Sequence, residues 1–341
     1  MKICERCVLP ETFPGVQFDE CGVCNCCRAA NRAADSSAKR EQVKQKFESL
    51  ASSLRGTAGY HCLLAYSGGK DSTYTLGLLR QHYGLRVLAV TIDNGFVSPA
   101  AFTNIRRVVE RADADHLLVK PSFGLLKKLF VHAARNNPFP MKALERASSM
   151  CNVCMGLVKS ITLRIAIEQR VPVVVYGWSP GQAPVSASFF RLNAPMIRQM
   201  EGARLAPLIV AAGDALAPYM LTDAHLASEP MPYSVNPLAF HDYGEHQFME
   251  NIRQMGWQPP ADTDGNSTNC LLNSLAIRLH LKGYGFHPYA SEIADLVRGG
   301  MMTREEGLAK LNDIGSAEVA EQAARRLGLE FTEEPSCGGS A

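Results

Sequence analysis

The run Tyr60-His61-Cys62-Leu63-Leu64-Ala65-Tyr66, then Ser67-Gly68-Gly69-Lys70-Asp71-Ser72, then Thr73-Tyr74-Thr75-Leu76-Gly77-Leu78-Leu79-Arg80 decides the fold of this 341-residue chain. An apolar strand feeds a double-glycine turn, and the turn opens a helix. In that setting a glycine-rich string has a physical meaning. Adjacent glycines let a polyphosphate approach the backbone. The exposed N–H groups and the dipole of the helix start favour its negative charge. Ser67 and Ser72 add hydroxyl donors, Lys70 a point charge and Asp71 a contact for Mg2+. The bland alternative is a turn that merely happens to be rich in glycine and serine; its place between strand and helix argues against that.

Outward from the loop the pattern alternates strand and helix. Strands are expected at 61–66, 86–92, 116–119 and 171–176, with helices over about 30–54 and 99–111. Such alternation predicts an α/β fold: a parallel twisted sheet with helices on both faces, ligands gathering at the carboxyl ends of its strands. Pro172 suits only the first part of its strand. Asp93 follows the second strand, where an acidic side chain can hydrogen-bond a ribose or the adenine neighbourhood; a plain turn aspartate in Asp93-Asn94-Gly95 is the equal alternative. Gly177 ends the fourth strand, where a nucleotide can approach the backbone. The expected organisation is a cysteine knuckle over 1–29, a nucleotide-binding α/β domain over 30–180, a mainly helical substrate and carboxyl-terminal region over 181–330, and a loose tail over 331–341.

Hydrophobic residues make up 46% of the chain and charged residues 20%, as in an ordinary globule. Apolar stretches such as 171–176 are too short to span a bilayer, and no apolar run follows Met1-Lys2-Ile3-Cys4. A cytoplasmic protein with no membrane association is the expectation. A net charge of +2 neither demands nor excludes nucleic acid. Locally, Arg28, Arg32, Lys39, Arg40, Lys44, Lys46 and Arg55 outnumber Asp35, Glu41 and Glu48. That run can follow an RNA backbone, although a solvated helix face is the commoner meaning.

Eleven cysteines in such a chain point to metals or thiol chemistry rather than disulfides. Cys4-x-x-Cys7 and Cys24-x-x-Cys27 are two pairs that can close a tetrahedral Zn2+ site, with Pro10, Pro14, Gly15 and Gly22 supplying the turns. Cys21 and Cys26 are left over, and either can replace an assumed ligand. Four ligands leave no open position, so the site reads as structural. Further on, Cys151-Asn152-Val153-Cys154 opens a helical stretch to 168, and Cys270 stands alone in Asn266-Ser267-Thr268-Asn269-Cys270-Leu271-Leu272. A pair plus one thiol can hold a [4Fe-4S] cluster with one iron free of protein ligands. A persulfide-carrying dithiol or two buried helix cysteines are the alternatives. Cys62 reads as core, and Cys337 as exposed and dispensable.

Ser67–Ser72 after the first strand resembles the pyrophosphate (PP-) loop of the N-type ATP pyrophosphatases, which include GMP synthetases, tRNA-thiolating enzymes and N-acetyl sugar amidotransferases. The glycine spacing differs from the longer Walker loop. The resemblance implies that ATP is cut between its α and β phosphates, AMP is left on a carbonyl-type oxygen of an acceptor, and nitrogen or sulfur displaces it. It points two ways. The start, Ile3-Cys4-Glu5-Arg6-Cys7-Val8-Leu9-Pro10 through Phe18-Asp19 to Gly22-Val23-Cys24-Asn25, resembles sugar amidotransferases, as does the string from Gly285-Phe286-His287 to Met302-Thr303-Arg304-Glu305-Glu306. The order of knuckle, loop, Cys151-x-x-Cys154-x-Gly156 and a distal cysteine is similar to the tRNA 2-thiolating enzymes.

Residues 181–245 read least clearly: a helix over about 194–221, broken by Pro207 and Pro218, and a lid or dimer surface. Helices are expected over 269–284, 292–298, 303–311 and 317–327, the third with a capping box of Thr303 and Glu306. His287 reads as a satisfied loop histidine. The favoured function is an ATP pyrophosphatase-type sulfurtransferase acting on tRNA or a small metabolite, with Lys70, Asp71, Cys151, Cys154 and Cys270 doing the chemistry and a separate sulfur donor. The second is ammonia-dependent amidation of a nucleotide-linked sugar with a glutaminase partner. The third is a non-catalytic zinc-knuckle nucleic-acid binder. Either enzyme family suggests a homodimer.

Overall fold

A computed structural model describes residues 1–30, 36–242 and 245–331. The tail expected over 331–341 lies outside them except for its first residue, as do Arg32, Asp35 and Cys337.

Strand β1, Cys62–Ala65, sits inside the sheet, and its residues alternate between two cores. Cys62 and Leu64 face one layer, Leu63 the other. Parallel neighbours flank it: β2, Val87–Ile92, pairs Leu63 with Leu88, and β4, Val173–Tyr176, pairs Leu63 with Val174. Strand β3, Asp115–Val119, lies outside β2. These are the four strands the sequence announces. Two more follow in a stretch expected to be helical. Strand β6, Tyr233–Val235, runs parallel to β4, and β5, Phe189–Arg191, runs antiparallel to β6. The order is β3-β2-β1-β4-β6-β5. The sheet therefore continues past residue 180, and the region from 181 supplies two of its strands besides helices.

The layer over one face is built from the helices Ser36–Leu54, Lys70–Gly77, Pro99–Arg111 and Glu245–Gln254, whose Phe47, Leu76, Ile105, Val108 and Ile252 close on Leu64, Ala89 and Val175. Over the other face lies Ser149–Glu168, with Leu163 and Ala166 on Val90 and Val174. This helix is long and apolar enough by composition to cross a membrane, contrary to the expectation that no stretch is. Here it is a core helix, buried along most of its length by β1, β4 and the helix Ala194–Ala212. Pro207 does not break Ala194–Ala212: Leu205, Leu208 and Ala212 are buried on either side of it, and that packing outweighs the lost backbone bond. Residues 213–219 continue as a tighter 3-10 turn containing Pro218.

The cysteine knuckle packs on residues 286–304. Cys4, Cys7, Val8, Leu9, Phe13, Cys24 and Cys27 share one small core with Phe286, Ala290, Ile293 and Ala294. Phe13 and Phe286 pack edge to face at 5.0 Å, and Arg304 Nε donates to the carbonyls of Cys4 and Cys7. The helices Ala290–Arg298, Arg304–Asn312 and Ala317–Leu327 match the expected ones, and Thr303 and Glu306 form the capping box.

Candidate functional site

The strand order reverses direction between β1 and β4, and a crevice opens there at the carboxyl ends. Ser67–Ser72 lies in it. Gly68 has φ +76°, and a Cβ on it would lie 2.5 Å from Ile105 Cγ1, so only glycine turns the chain here. Its carbonyl accepts from Trp257 Nε1 at 3.0 Å. Gly69 caps the helix Lys70–Gly77 with no side-chain bond of its own. The Gly69 N–H donates to Ser67 Oγ at 3.3 Å and the Lys70 N–H to Thr268 Oγ1 at 3.2 Å, while Ser67 Oγ and Ser72 Oγ lie 3.1 Å apart. These are long, weak bonds at a helix start, and a phosphate oxygen would replace them with charge-assisted ones.

Gly177 lines the crevice and is needed for a protein neighbour as well. A Cβ there would lie 2.7 Å from Ser72 Cα and 3.1 Å from Asp71 O, so this glycine lets the end of β4 press on the loop helix. Asp93 is a turn aspartate with both oxygens engaged: Oδ1 accepts from the Gly95 N–H at 2.8 Å, and Oδ2 lies 3.0 Å from Lys120 Nζ.

The three internal thiols face the same crevice. Ser148 caps the helix Ser149–Glu168, accepting from the Cys151 N–H at 3.1 Å, which sets Cys151 and Cys154 in its first turns. Cys270 arrives on a short bridge to Val97, fixed by Ser98 N–H to Asn269 O and Leu271 N–H to Phe96 O. Asn94 joins them: its Nδ2 donates to Cys154 Sγ at 3.4 Å and to Cys270 Sγ at 3.5 Å, while its Oδ1 is held by the Phe96 N–H. Cys151 Sγ lies 3.9 Å from Asn273 Oδ1. Burial pushes all three thiols up, Cys151 to about 12. As bare groups they would stay protonated and inert; a cationic centre is what would make thiolates of them. Among the described residues their sulfurs do not all lie within 4.8 Å of one another as the knuckle's do; a pair plus one thiolate is a donor set for a [4Fe-4S] cluster with one open iron. The donor set fits such a cluster.

A cavity of about 830 Å3 connects loop and thiols. Ser67, Ser72, Asn94, Cys151, Cys154 and Cys270 all line it. Glu292 closes one side, taking Ser179 Oγ and, at 3.0 Å, Gln182 Nε2. Burial pushes its carboxyl up, and the charge of Asp71 adds to this.

The knuckle is a separate site. The sulfurs of Cys4, Cys7, Cys24 and Cys27 lie within 4.8 Å of one another, Cys4 to Cys27 at 3.8 Å and Cys7 to Cys24 at 3.7 Å. Backbone N–H groups of Arg6, Cys7 and Cys24 point at Cys4 Sγ, and that of Cys27 at Cys24 Sγ. Burial opposes ionisation of Cys4, but these donors outweigh it and pull the thiol down to about 6. Four thiolates around one point fit a single tetrahedral ion. Cys21 is exposed, and neither it nor Cys26 joins the set.

Sequence reasoning missed Asn94, Thr268, Trp257, Asn273 and Glu292. Only Asn94 carried any signal, as the neighbour of Asp93 at a strand end.

No family model matches the chain. An uncharacterized protein of Methanocaldococcus jannaschii is 25% identical over 293 residues, 85% of this chain and 87% of that one. Among solved structures, a U34-tRNA thiolase of Methanococcus maripaludis with its [4Fe-4S] cluster is 14% identical and matches 99% of this chain and 92% of its own, at a TM-score of 0.38. An NH3-dependent NAD synthetase of Campylobacter jejuni is 11% identical over 85% and 93%, and an NMN synthetase of Francisella tularensis 11% identical over 86% and 98%, both at 0.37. Likeness at these scores decides no function; the geometry must carry it.

Proposed function

We propose that this chain is an ATP pyrophosphatase-type enzyme that energises an acceptor oxygen and then delivers sulfur to it. One observation carries the reading: Cys151, Cys154 and Cys270 converge, with Asn94 between two of them, in the cavity that the Ser67–Ser72 loop opens into. The loop's N–H groups, exchanging their long bonds to Ser67 and Thr268, and the hydroxyls of Ser67 and Ser72 hold the phosphates of ATP as substrate, with Lys70 supplying charge and Asp71 holding Mg2+. The acceptor oxygen attacks the α phosphorus and pyrophosphate departs from it. AMP is then the leaving group when the second nucleophile adds. A [4Fe-4S] cluster on the three thiols would supply an iron position at which sulfide can be held. Asn94 orients two of those thiols. Zn2+ on Cys4, Cys7, Cys24 and Cys27 would be structural.

Protein purified without oxygen tests this. Iron and acid-labile sulfide are expected in the wild type, and both should fall when Cys151, Cys154 or Cys270 is replaced by Ala in turn. Zinc alone, together with turnover on ammonium, would instead favour amidation with a glutaminase partner. Replacing Lys70 and Asp71 together should abolish pyrophosphate release; if release persists, the nucleotide reading is lost for either nucleophile.

A further inference from the structure

The cavity holds more positive charge than a nucleotide at the loop explains. Away from Ser67–Ser72 its wall carries Lys142, Arg146, Lys159 and Arg204 against two carboxyls, Glu201 and Glu292. Both carboxyls are already engaged, Glu201 by Ser160 Oγ at 2.9 Å and Glu292 by Ser179 and Gln182. Burial pushes both toward the neutral form. Lys159 and Arg204 are half-buried, and among the described residues neither has a carboxylate within ion-pair distance. Instead Lys159 Nζ rests 4.0 Å from the Trp178 ring centroid and 5.7 Å from that of Tyr176, themselves stacked at 4.8 Å. A cation held on aromatic faces keeps its N–H groups free to donate. Arg204 reaches the same wall from the neighbouring helix; burial and then the charge of Arg204 lower the affinity of Lys159 for its proton, and burial does the same to Arg204. Two desolvated cations in one cavity wall are costly unless an anion completes them.

We propose that Lys159, held on the Tyr176–Trp178 stack, and Arg204 of the same cavity wall form an anion subsite that takes the phosphate of a small phosphorylated acceptor. The word acceptor rests on the function proposed above; the anion site itself does not. A small metabolite is favoured over a polynucleotide because both cations lie within the cavity wall rather than on an exposed face.

Calorimetry on anaerobically purified protein saturated with α,β-methylene-ATP and Mg2+ tests the site, with ribose 5-phosphate as probe and ribose as control. The phosphate ester should bind and ribose should not. Lys159→Gln and Arg204→Gln should each weaken it at least tenfold and change the affinity for the ATP analogue less than twofold, and Lys159→Arg and Arg204→Lys should restore most of it. Equal binding of ribose, or no binding of the ester, would overturn the proposal. A tenfold loss of analogue affinity in either Gln variant would assign the cations to ATP and also overturn it. Binding of tRNA alone, lost in the same variants, would overturn the choice of a small acceptor. The probe needs neither iron nor turnover, so absence of the cluster or of pyrophosphate release removes the sulfur reading and leaves this result standing.

Discussion

Gly68 and Gly177 show how single residues set the nucleotide loop. Each removes a Cβ that would otherwise strike a neighbour, a side chain of the helix Pro99–Arg111 in one case and loop backbone in the other. Gly68 adds a left-handed φ. Gly68→Ala is expected to cost about 2–4 kcal/mol, summing left-handed strain and the clash with Ile105. A denaturation curve reads that loss, and pyrophosphate release should fall with it; an unchanged midpoint would mean Ile105 yields freely. The sequence made the loop legible because glycine, serine and lysine have few other reasons to gather after a strand. It could not show what Gly177 touches, since Ser72 is more than a hundred residues away. Nor could it assign Asn94, whose amide meets two thiols that arrive from distant segments.

Among the elements, helices with a chemical start signal were readable and the three-residue strands were not. Pro99 and Ser98 announce one helix, and the Thr303–Glu306 box another. Thr303→Ala should cost about 1 kcal/mol, seen as a lower melting temperature. Glu306→Gln, which keeps a reciprocal acceptor, should cost less. Strands β5 and β6 have three residues each, too few for alternation to register, and they lie in a proline-rich stretch. Their partners make them strands: β6 gains its ladder from β4, and β5 gains its own from β6. Pro207 misleads in the opposite direction, because the propensity cost is local while the compensating burial of Leu205 and Leu208 is tertiary.

At the scale of the whole molecule, two buried imidazoles and one half-buried one make stability depend on acidity. Burial pulls His241, His280 and His287 from their ordinary value near 6.5 to about 4. Folded protein therefore binds fewer protons than unfolded protein between those values. Stability should rise with pH from about 4 to about 6.5 and level off above, as urea midpoints across that range would show. His280→Phe should flatten the rise, since among the described residues neither ring nitrogen of His280 has a partner and the ring packs between Tyr284 and Phe286. A slope unchanged in that variant would remove His280 from the cause.

Metal removal acts at the same scale. Stripping the ion proposed for Cys4, Cys7, Cys24 and Cys27 should loosen Phe286, Ile293 and Ala294 together with the knuckle, because they share one core. Limited proteolysis after chelation should then cut near both ends of the chain; cleavage confined to the first thirty residues would show that the carboxyl-terminal helices stand alone.

That shared core also fixes an order of assembly during synthesis. Arg298, which donates to Cys7 Sγ, lies 291 residues after its acceptor, and Arg304 lies 300 residues after the carbonyl of Cys4. A nascent chain can gather its four thiols as soon as residue 27 leaves the ribosome. Their apolar flank has no cover until the helix Ala290–Arg298 emerges, so the clasp cannot shut before residue 304 has left the ribosome.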